Sequence, residues 1–367
     1  MKKIIFFLLV LSFTACKKSS DDTAQCNIVT SFTVTSDAIT HEATFTNTSN
    51  VEATQYVWAF GDNTTSTAKN PVHVYATSGT YSVKLTTKST DGKCSGEVIK
   101  SVVIASGGSY TKKVLIEEFT GAWCGYCVDG AYKVETIVNA NAGKVIGVSI
   151  HQGDGMEIPL YNSLDAAFIN SGFPTGLVDR ISTNSVVCYS RSDWQIRSIG
   201  ELSKEAKCGL SLKTTISTAN DSVTAEIKTG FKYALTGNYK ICTYVVEDDV
   251  TGTGSTYDQT NYYSSANPGG SAGTSTHPYY NLPYHITGYK HKQVVRKSIP
   301  SDLGEVVDPA SLVAGGLFTK TYKFAIGTMN KSNLSIVSFV YKVGTSNLGF
   351  EIMNVQKVKV GSSQNFD

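Results

Sequence analysis

The sequence predicts a multidomain protein with a β-sandwich first, an α/β part in the centre and a second β-sandwich last. Three observations predict this fold class. Apolar and polar residues alternate over residues 26–105, as they do in half-buried strands. Over residues 112–206, short apolar runs alternate with segments whose apolar residues recur at helical spacing. Over residues 207–361, strand-like segments return and are separated by polar turns.

The first residues predict an export signal. Two lysines precede an apolar run from Ile4 to Leu11, which is too short to remain as a membrane-spanning helix. Cys16 follows the cleavage region and resembles the cysteine of a bacterial lipobox, which is acylated and becomes the new N-terminus. We therefore expect a lipoprotein signal peptide over residues 1–15 and a polar tether over residues 16–25. The alternative is an ordinary signal peptide followed by a chance cysteine.

Composition narrows the class of partner and the compartment. The formal net charge of the 367-residue chain is +2 and the sequence has no basic stripe, so nucleic acid is not expected as a partner. Eight cysteines in a chain with an export signal predict disulfides. Low charge and abundant Thr, Ser, Gly, Asn and Tyr are typical of exported β-rich proteins.

The segment VWAFGDNTTSTAKNPVHVYATSGTYSVKL resembles the polycystic kidney disease (PKD) repeat, an immunoglobulin-like β-sandwich. The matching residues are Trp58, Phe60, Gly61, Asp62, Pro71, His73, Tyr75, Gly79, Tyr81 and Val83. Asn63 replaces the usual glycine of that family but tolerates the left-handed conformation of the turn. The resemblance implies that residues 26–105 act as a spacer or as a contact module for proteins or glycans.

The predicted first domain contains a candidate disulfide and is followed by a linker. Cys26 opens the domain and Cys94 lies near its last hairpin, so we expect a bond between them. His73 alternates with Tyr75 before a glycine turn, which favours a structural strand residue over a metal ligand. Residues 106–111 begin with Ser-Gly-Gly-Ser and predict a linker.

A pair of cysteines stands between a predicted strand and a predicted helix. After the apolar run VLIEEF, the sequence TGAWCGYC places Cys124 and Cys127 two residues apart, and VDGAYKVETIV continues at helical spacing. A strand, a Cys-x-x-Cys turn and a helix in this order open the thioredoxin fold. The following segments complete the order β-α-β-α-β-β-α. The last helix would carry its apolar face on Ile196, Ile199 and Leu202.

The stretch from Lys112 to Ala206 resembles the thioredoxin-like superfamily. Its Gly-Phe-Pro-Thr sequence stands where that superfamily carries a cis-proline turn, and a cis X–Pro bond is a minority state that only a demanding turn selects. In the superfamily this turn faces the cysteine pair and receives the substrate chain. The resemblance implies substrate-binding roles for Trp123, Phe173, Pro174 and Thr175.

The resemblance also implies roles for the two cysteines. Cys124, near a helix N-terminus whose dipole favours thiolate, would attack a substrate disulfide, and Cys127 would resolve the mixed disulfide. Glu118 falls where thioredoxins keep a buried acid and is the candidate proton acceptor for Cys127. A paired structural carboxylate is the alternative for Glu118, and a stable Cys124–Cys127 disulfide in a binding domain is the alternative for the pair.

The strand-like pattern of residues 207–361 predicts a β-sandwich that contains a long insertion. The insertion at residues 250–284, here called the tyrosine-rich segment, contains Tyr257, Tyr262, Tyr263, Tyr279, Tyr280 and Tyr284. Loops of this length in compact domains are functional or disordered, so the alternatives are a contact surface and a floppy insertion. Cys188, Cys208 and Cys242 leave an odd count, and Cys208–Cys242 is the preferred bridge.

Histidines and carboxylates of this part raise the question of a metal site. The histidines are His277, His285 and His291, and their spacings fit no tight zinc pattern, which favours surface or structural roles. The carboxylates that could hold calcium near the glycine-rich loop are Glu247, Asp248, Asp249 and Asp258, although the EF-hand register is absent. We expect no cofactor, with calcium as the alternative.

Five segments carry a closer resemblance, namely LIEEFTGAWCGYC, GFPTGLVDR, VVED, YKHKQVVRKSI and FEIMNVQKVKV. They resemble the twenty-eight-kilodalton outer membrane protein family of Gram-negative lipoproteins, which combine a thioredoxin-like part with a β-sandwich. The resemblance runs from Lys112 to the end of the chain. It implies a lipid-anchored protein of the outer membrane or cell surface.

Two functions remain open from the sequence. The first is a thiol–disulfide oxidoreductase that acts on protein thiols and disulfides and contacts the membrane through lipid on Cys16. The second is a non-enzymatic adhesion or binding lipoprotein that contacts surface proteins or glycans. In the second, Cys124–Cys127 is a structural disulfide.

Overall fold

The structure is a computed structural model that describes residues 26–37, 40–50, 53–104 and 109–367. The predicted signal peptide, the tether with Cys16 and part of the predicted linker lie outside the described residues. The chain divides into two compact units. One contains the described residues within Met1–Thr33, Thr46–Pro71 and Val83–Lys100, and the other those within Val34–Phe45, Val72–Ser82 and Ser101–Asp367.

The N-terminal part of the described chain consists of strands in two sheets. The strands are β1 (Phe32–Ser36), β2 (Glu42–Asn47), β3 (Gln55–Ala59), β4 (Thr65–Ser66), β5 (Val72–Val74), β6 (Gly79–Lys88) and β7 (Ser95–Ile104). Their order is β1-β2-β5 in one sheet and β4-β3-β6-β7 in the other.

Trp58 on β3 forms the centre of the smaller unit. It is fully buried, and its indole nitrogen donates to the Ala68 carbonyl oxygen over 2.9 Å. The Phe32 ring meets it edge-on, with 5.1 Å between ring centroids. A disulfide joins Cys26 to Cys94 in the same unit.

The chain from residue 109 onward contains the helices and the remaining strands. The helices are α1 (Cys127–Ala140), α2 (Leu160–Phe168) and α3 (Trp194–Leu202), with 3₁₀ turns at Pro309–Ser311 and Lys331–Asn333. The strands are β8 (Val114–Thr120), β9 (Val145–His151), β10 (Thr175–Val178), β11 (Tyr189–Ser190), β12 (Cys208–Ile216), β13 (Ser222–Phe231), β14 (Tyr239–Glu247), β15 (Gln259–Thr260), β16 (His285–Ile286), β17 (Val294–Ile299), β18 (Glu305–Val306), β19 (Leu317–Ala325), β20 (Leu334–Lys342), β21 (Glu351–Lys359) and β22 (Ser363–Gln364).

A nine-stranded sheet runs through most of this chain. Its order is β11-β10-β8-β9-β17-β14-β20-β21, and β18 pairs with β14. β8 and β9 are parallel, since α1 carries the chain back between them. β17 joins β9 in parallel at Val294 and Ser149 and pairs with β14 in the antiparallel sense. Strands on both sides of the predicted boundary at residues 206 and 207 therefore share one sheet.

The nine-stranded sheet curves until its last strand, β21, approaches the start of β8. The Lys113 amide donates to the side-chain oxygen of Asn354, and the Ile352 amide donates to the Asp179 carbonyl oxygen, each over 2.8 Å. An apolar core fills the concave side, and α2 packs into it. The sheet thus surrounds much of that core.

A second sheet, in the order β19-β13-β12-β22, completes a β-sandwich. Leu210, Ile227 and Phe324 from this sheet share one core with Ile241 and Ile336 from β14 and β20. Buried residues alternate with half-buried ones along most of β13 and with half-buried or exposed ones along β19, as the period-two pattern of the sequence indicates.

The buried face of α3 differs from the face expected from its isoleucines. Ile196 and Ile199 are 73% and 53% exposed, whereas Trp194 is fully buried. The Trp194 indole nitrogen donates to the Tyr189 carbonyl oxygen over 3.0 Å, and its ring packs against Gly176. The indole, as the largest apolar group, decides the orientation of the helix.

The expected Cys208–Cys242 bridge is wrong, since both thiols are free. Cys208 belongs to the core between the two sheets, whereas Cys242 on β14 belongs to the core on the opposite face of the nine-stranded sheet. Burial raises the pKa of Cys208 to about 12 and that of Cys242 to about 11. Such protonated, buried thiols are chemically inert. Cys188 is also free and buried.

Candidate active site

The cysteine pair lies where the fully buried strand β8 gives way to α1. Cys127 is the first residue of α1, and Cys124 lies in the turn before it. A disulfide joins the two, and only 5% of Cys124 and 1% of Cys127 are exposed. The Cys124 amide donates to the Gly121 carbonyl oxygen over 3.0 Å, which closes the turn.

The turn that contains Pro174 lies beside the cysteine turn. The Phe173–Pro174 bond is cis, and the Phe173 and Trp123 rings meet edge-on with 5.3 Å between their centroids. A Cβ atom on Gly130 of α1 would come within 2.8 Å of the Pro174 ring. Thr175 braces the turn, because its hydroxyl donates to the Gly172 carbonyl oxygen over 2.8 Å.

Glu118 is a buried acid without a cationic partner among the described residues. Its Oε2 accepts a hydrogen bond from the Ser149 hydroxyl over 3.3 Å, and its Oε1 has no hydrogen-bond partner within that part of the chain. Burial raises the pKa of Glu118 to about 8. The interpretation of Glu118 as a paired carboxylate is therefore wrong.

Two histidines, His151 and His291, lie near the cysteine pair. The sequence analysis did not connect them with each other or with the cysteines. His151 at the end of β9 hydrogen-bonds to Asp154 over 2.7 Å, and its ring meets His291 edge-on at 5.2 Å. Burial lowers the pKa of His291 to about 4. Both histidines line a small cavity with Glu118 and Cys127. His151 is the last residue of the apolar strand β9, which lies beside β8. This position at the end of a buried strand is the feature of the sequence that could have identified His151.

The tyrosine-rich segment covers the cysteine turn. The Thr260 amide donates to the Ala122 carbonyl oxygen over 2.8 Å, and the Tyr262 amide donates to the Gly125 carbonyl oxygen over 3.0 Å. The Gln259 side-chain amide donates to Ala122 and to the Cys124 carbonyl oxygen, over 3.1 and 3.0 Å. A Cβ atom on Gly125 would overlap the Tyr262 ring, so glycine at this position permits the contact.

A second contact holds the same segment against α1. Arg191 donates to Asp129 over 2.5 Å and to the Tyr263 hydroxyl over 2.8 Å. His277 stacks on Tyr263 with 3.9 Å between ring centroids and lies 3.3 Å from the other Asp129 oxygen. The segment is therefore folded against its own chain, and its role as a contact surface for a partner stays a prediction.

The other polar residues singled out in the sequence do not gather in one place. His277 contacts Asp129, the His285 ring meets Tyr284, and His291 donates through Nε2 to the Tyr257 carbonyl oxygen. Glu247 pairs with Arg296 and Asp249 with Lys292. His73 lies edge-on to the Tyr75 ring. Within the described residues, no group of three or more His, Cys, Asp or Glu side chains could hold a metal ion.

Comparison with known families assigns most of the chain. The family model of the outer membrane protein Omp28 matches residues 161–364, more than half of the chain. This chain belongs to the Omp28 outer membrane protein family. A PKD domain model matches residues 24–104, so this Omp28 member has an N-terminal PKD domain. The Omp28 match begins after the cysteine pair, so Cys124 and Cys127 lie outside it.

Comparison with solved structures gives one likeness in fold over most of this Omp28 protein and one match to a short part of it. HBP35 of Porphyromonas gingivalis is 19% identical, with a TM-score of 0.54 over 69% of this chain and 76% of that one. The PKD1 domain of Vibrio anguillarum Epp is 23% identical, with a TM-score of 0.20 over 22% of this chain and 95% of that domain.

A curated relative matches only a short stretch. Collagenase ColA of Bacillus cereus is 50% identical over 58 residues, which are 16% of this chain. The chain spans 6% of the length of that collagenase.

Family membership indicates an outer-membrane or cell-surface location for the Omp28 protein. In the part of the chain that the structure describes, the helices are too short or too polar to span a membrane.

Proposed function

We propose that this protein is a lipid-anchored thiol–disulfide oxidoreductase of the outer membrane or cell surface that acts on protein substrates. Residues 112–206 would form a thioredoxin-like domain, and lipid on Cys16 would anchor the chain. The observation that carries the proposal is the Cys124–Cys127 disulfide at the start of α1, beside the cis Phe173–Pro174 bond. The element order β8-α1-β9-α2-β10-β11-α3 supports the same interpretation.

The reaction would transfer two electrons from the cysteine pair to a substrate disulfide. The Cys124 thiolate attacks one substrate sulfur, which forms a mixed disulfide and releases the first substrate thiolate. Cys127 then gives its proton to the Glu118 carboxylate and attacks the Cys124 sulfur. The second substrate thiolate leaves and Cys124–Cys127 is oxidised. A dithiol reductant from another protein would reduce the pair again.

Glu118 suits the proton-acceptor role through its pKa. A general base works best when its pKa lies near the working pH, and burial raises the pKa of Glu118 to about 8. About one tenth of the carboxyl groups are then ionised at neutral pH, and they accept a proton readily. Oε1, which has no other partner among the described residues, is the available oxygen.

Aromatic side chains mark the side from which a substrate would approach. Trp123 is 46% exposed, and Phe173 lies beside it and stacks with Tyr161 at 6.0 Å. The tyrosine-rich segment contacts the same turn through Tyr262, whose ring meets the Tyr126 ring edge-on. These positions favour an extended peptide substrate over a broad folded surface.

The second candidate is a non-enzymatic binding protein in which Cys124–Cys127 is structural. The burial of both sulfur atoms beneath the tyrosine-rich segment favours it. The two candidates differ in whether this disulfide opens at a biological potential.

Stepwise redox buffering of the purified protein, followed by alkylation and mass spectrometry, separates the two candidates. An oxidoreductase opens Cys124–Cys127 reversibly, and Cys124→Ser abolishes insulin reduction. Cys188→Ala, which removes a buried free thiol, is the matched control and keeps the activity. A pair that stays oxidised across the whole buffer range would reject the enzymatic proposal.

A further inference from the structure

A cavity of about 360 Å³ lies where α1, β9, β20 and β21 approach one another. None of its lining residues belongs to the cysteine turn, so this cavity is separate from the candidate active site. Its apolar wall consists of Val138, Val145, Ile146 and Val358. The volume falls in the range of small-molecule sites, which combine an apolar wall with a few placed polar groups.

Three polar side chains line this cavity without a hydrogen-bond partner among the described residues. The Ser335 hydroxyl is fully buried and unpaired. Neither the Gln293 carboxamide nor the Lys357 ammonium group, both half-buried, makes a hydrogen bond or ion pair within the described chain. Most buried polar groups in proteins are paired, and an unpaired one costs about 1–3 kcal/mol. The fully buried Ser335 hydroxyl is such a group, and together with the two unpaired, half-buried side chains beside it, it indicates a missing partner.

The backbone holds Gln293 at the cavity in a conformation that glycine usually adopts. Its φ angle is +59°, its amide donates to Asp248, and its carbonyl oxygen accepts from the Ser149 amide over 2.8 Å. A Cβ atom on Gly147 would come within 2.5 Å of the Gln293 side-chain oxygen. Such positions persist where the surroundings fix them, and they concentrate at ligand sites.

The charges at the cavity favour an anion. Lys113, Lys357 and Lys359 line it together with one carboxylate, that of Asp367, which pairs with Lys113 over 2.7 Å. Lysine side chains therefore outnumber carboxylate side chains at the cavity. Burial lowers the pKa of Lys357, and Asp248 opposes this effect without reaching ion-pair distance. A ligand carboxylate would supply the counter-charge that Lys357 lacks.

We propose that this cavity binds a small carboxylate with an apolar body. The carboxylate oxygens would accept hydrogen bonds from Lys357, Ser335 and Gln293, which together offer ammonium, hydroxyl and amide donors. The apolar body would lie on the valine and isoleucine wall. The site is independent of the cysteine chemistry.

Titration calorimetry of the full chain with octanoate tests the site. Octanoate is expected to bind, and octanamide, which has the same apolar body without the charge, is expected to bind at least tenfold more weakly. Lys357→Met should weaken octanoate binding at least tenfold. Lys342→Met, which removes an exposed lysine at the end of β20, is the matched control and should leave binding unchanged.

Chemical protection supplies a second measurement on the unaltered protein, which remains valid even where Lys357→Met fails to fold. Octanoate should slow reductive methylation of Lys357 severalfold and leave methylation of Lys342 unchanged, as measured by peptide mass spectrometry. Equal binding of octanoate and octanamide overturns the proposal. So does the absence of both octanoate binding and protection of Lys357 at millimolar concentration.

Discussion

Gln259 donates its side-chain amide to the Cys124 carbonyl oxygen over 3.0 Å, so the tyrosine-rich segment holds the backbone of the cysteine turn directly. Gln259 lies on the short strand β15, which pairs with β16 on the other side of the segment. The segment is therefore a folded structure that is closed by a strand pair, with β16 directly after its last residue. We expect its position to limit which reagents reach the disulfide.

Gly125→Ala should loosen this cover. The added methyl group would overlap the Tyr262 ring, and such overpacking costs about 1–3 kcal/mol. We expect dithiothreitol to reduce Cys124–Cys127 severalfold faster in the variant, as measured by timed alkylation. Gly200→Ala is the control, because a Cβ atom there would meet nothing within 4 Å. An unchanged reduction rate in Gly125→Ala would show that the segment does not limit access.

Glu118 should make the protein less stable as the pH rises. The pKa of this carboxyl group is raised from 4.5 to about 8 by burial, so the folded state holds a proton that the unfolded state releases. Its contribution is fully present below pH 4.5 and is lost as the pH rises through about 8. Urea unfolding at several pH values should show a steeper loss of stability for the natural protein than for Glu118→Gln. Parallel pH profiles would contradict the raised pKa.

Trp194 should contribute far more to the free energy of unfolding than the isoleucines of the same helix. Trp194→Ala removes a fully buried indole and should lower the free energy of unfolding by about 3–5 kcal/mol in urea titrations. Ile196→Ala removes a side chain that is 73% exposed and should change it by less than about 0.5 kcal/mol. Similar losses for both variants would mean that α3 packs through its isoleucines.

The Cys26–Cys94 disulfide should stabilise the N-terminal PKD domain. It closes a loop with a sequence separation of 68, for which the chain-entropy relation gives about 4 kcal/mol. The double variant Cys26→Ala/Cys94→Ala should therefore lower the unfolding midpoint of this domain in calorimetry. The midpoint of the rest of the chain serves as the internal reference and should stay constant.

Local signals made part of this structure predictable. The apolar run of β8, the Cys-x-x-Cys turn and the helical spacing after it lie next to one another in the sequence, so they describe one strand–turn–helix unit. The Phe-Pro turn is likewise a local feature, and Phe173–Pro174 is cis. These predictions needed no knowledge of distant contacts.

Contacts between residues far apart in the chain could not be predicted from the sequence. Two such contacts join segments far apart in the chain. The Tyr262 ring packs against Gly125, and Arg191 pairs with Asp129. The α3 face was misjudged because the helical spacing of isoleucines does not reveal which partner the Trp194 ring finds. The Cys208–Cys242 pairing failed for the same reason, since the sequence does not show which face of a sheet each cysteine occupies.

The junction of β9 with β17 bears on how this protein can be divided experimentally. β17 arrives from late in the chain and pairs with the outer edge of β9 at Val294 and Ser149. A fragment truncated after Ala206 would expose that edge as a row of unsatisfied amides and carbonyls, which invites self-association and precipitation. Work on the redox chemistry therefore calls for expression of the entire C-terminal portion, because late residues complete the sheet of the cysteine-bearing half.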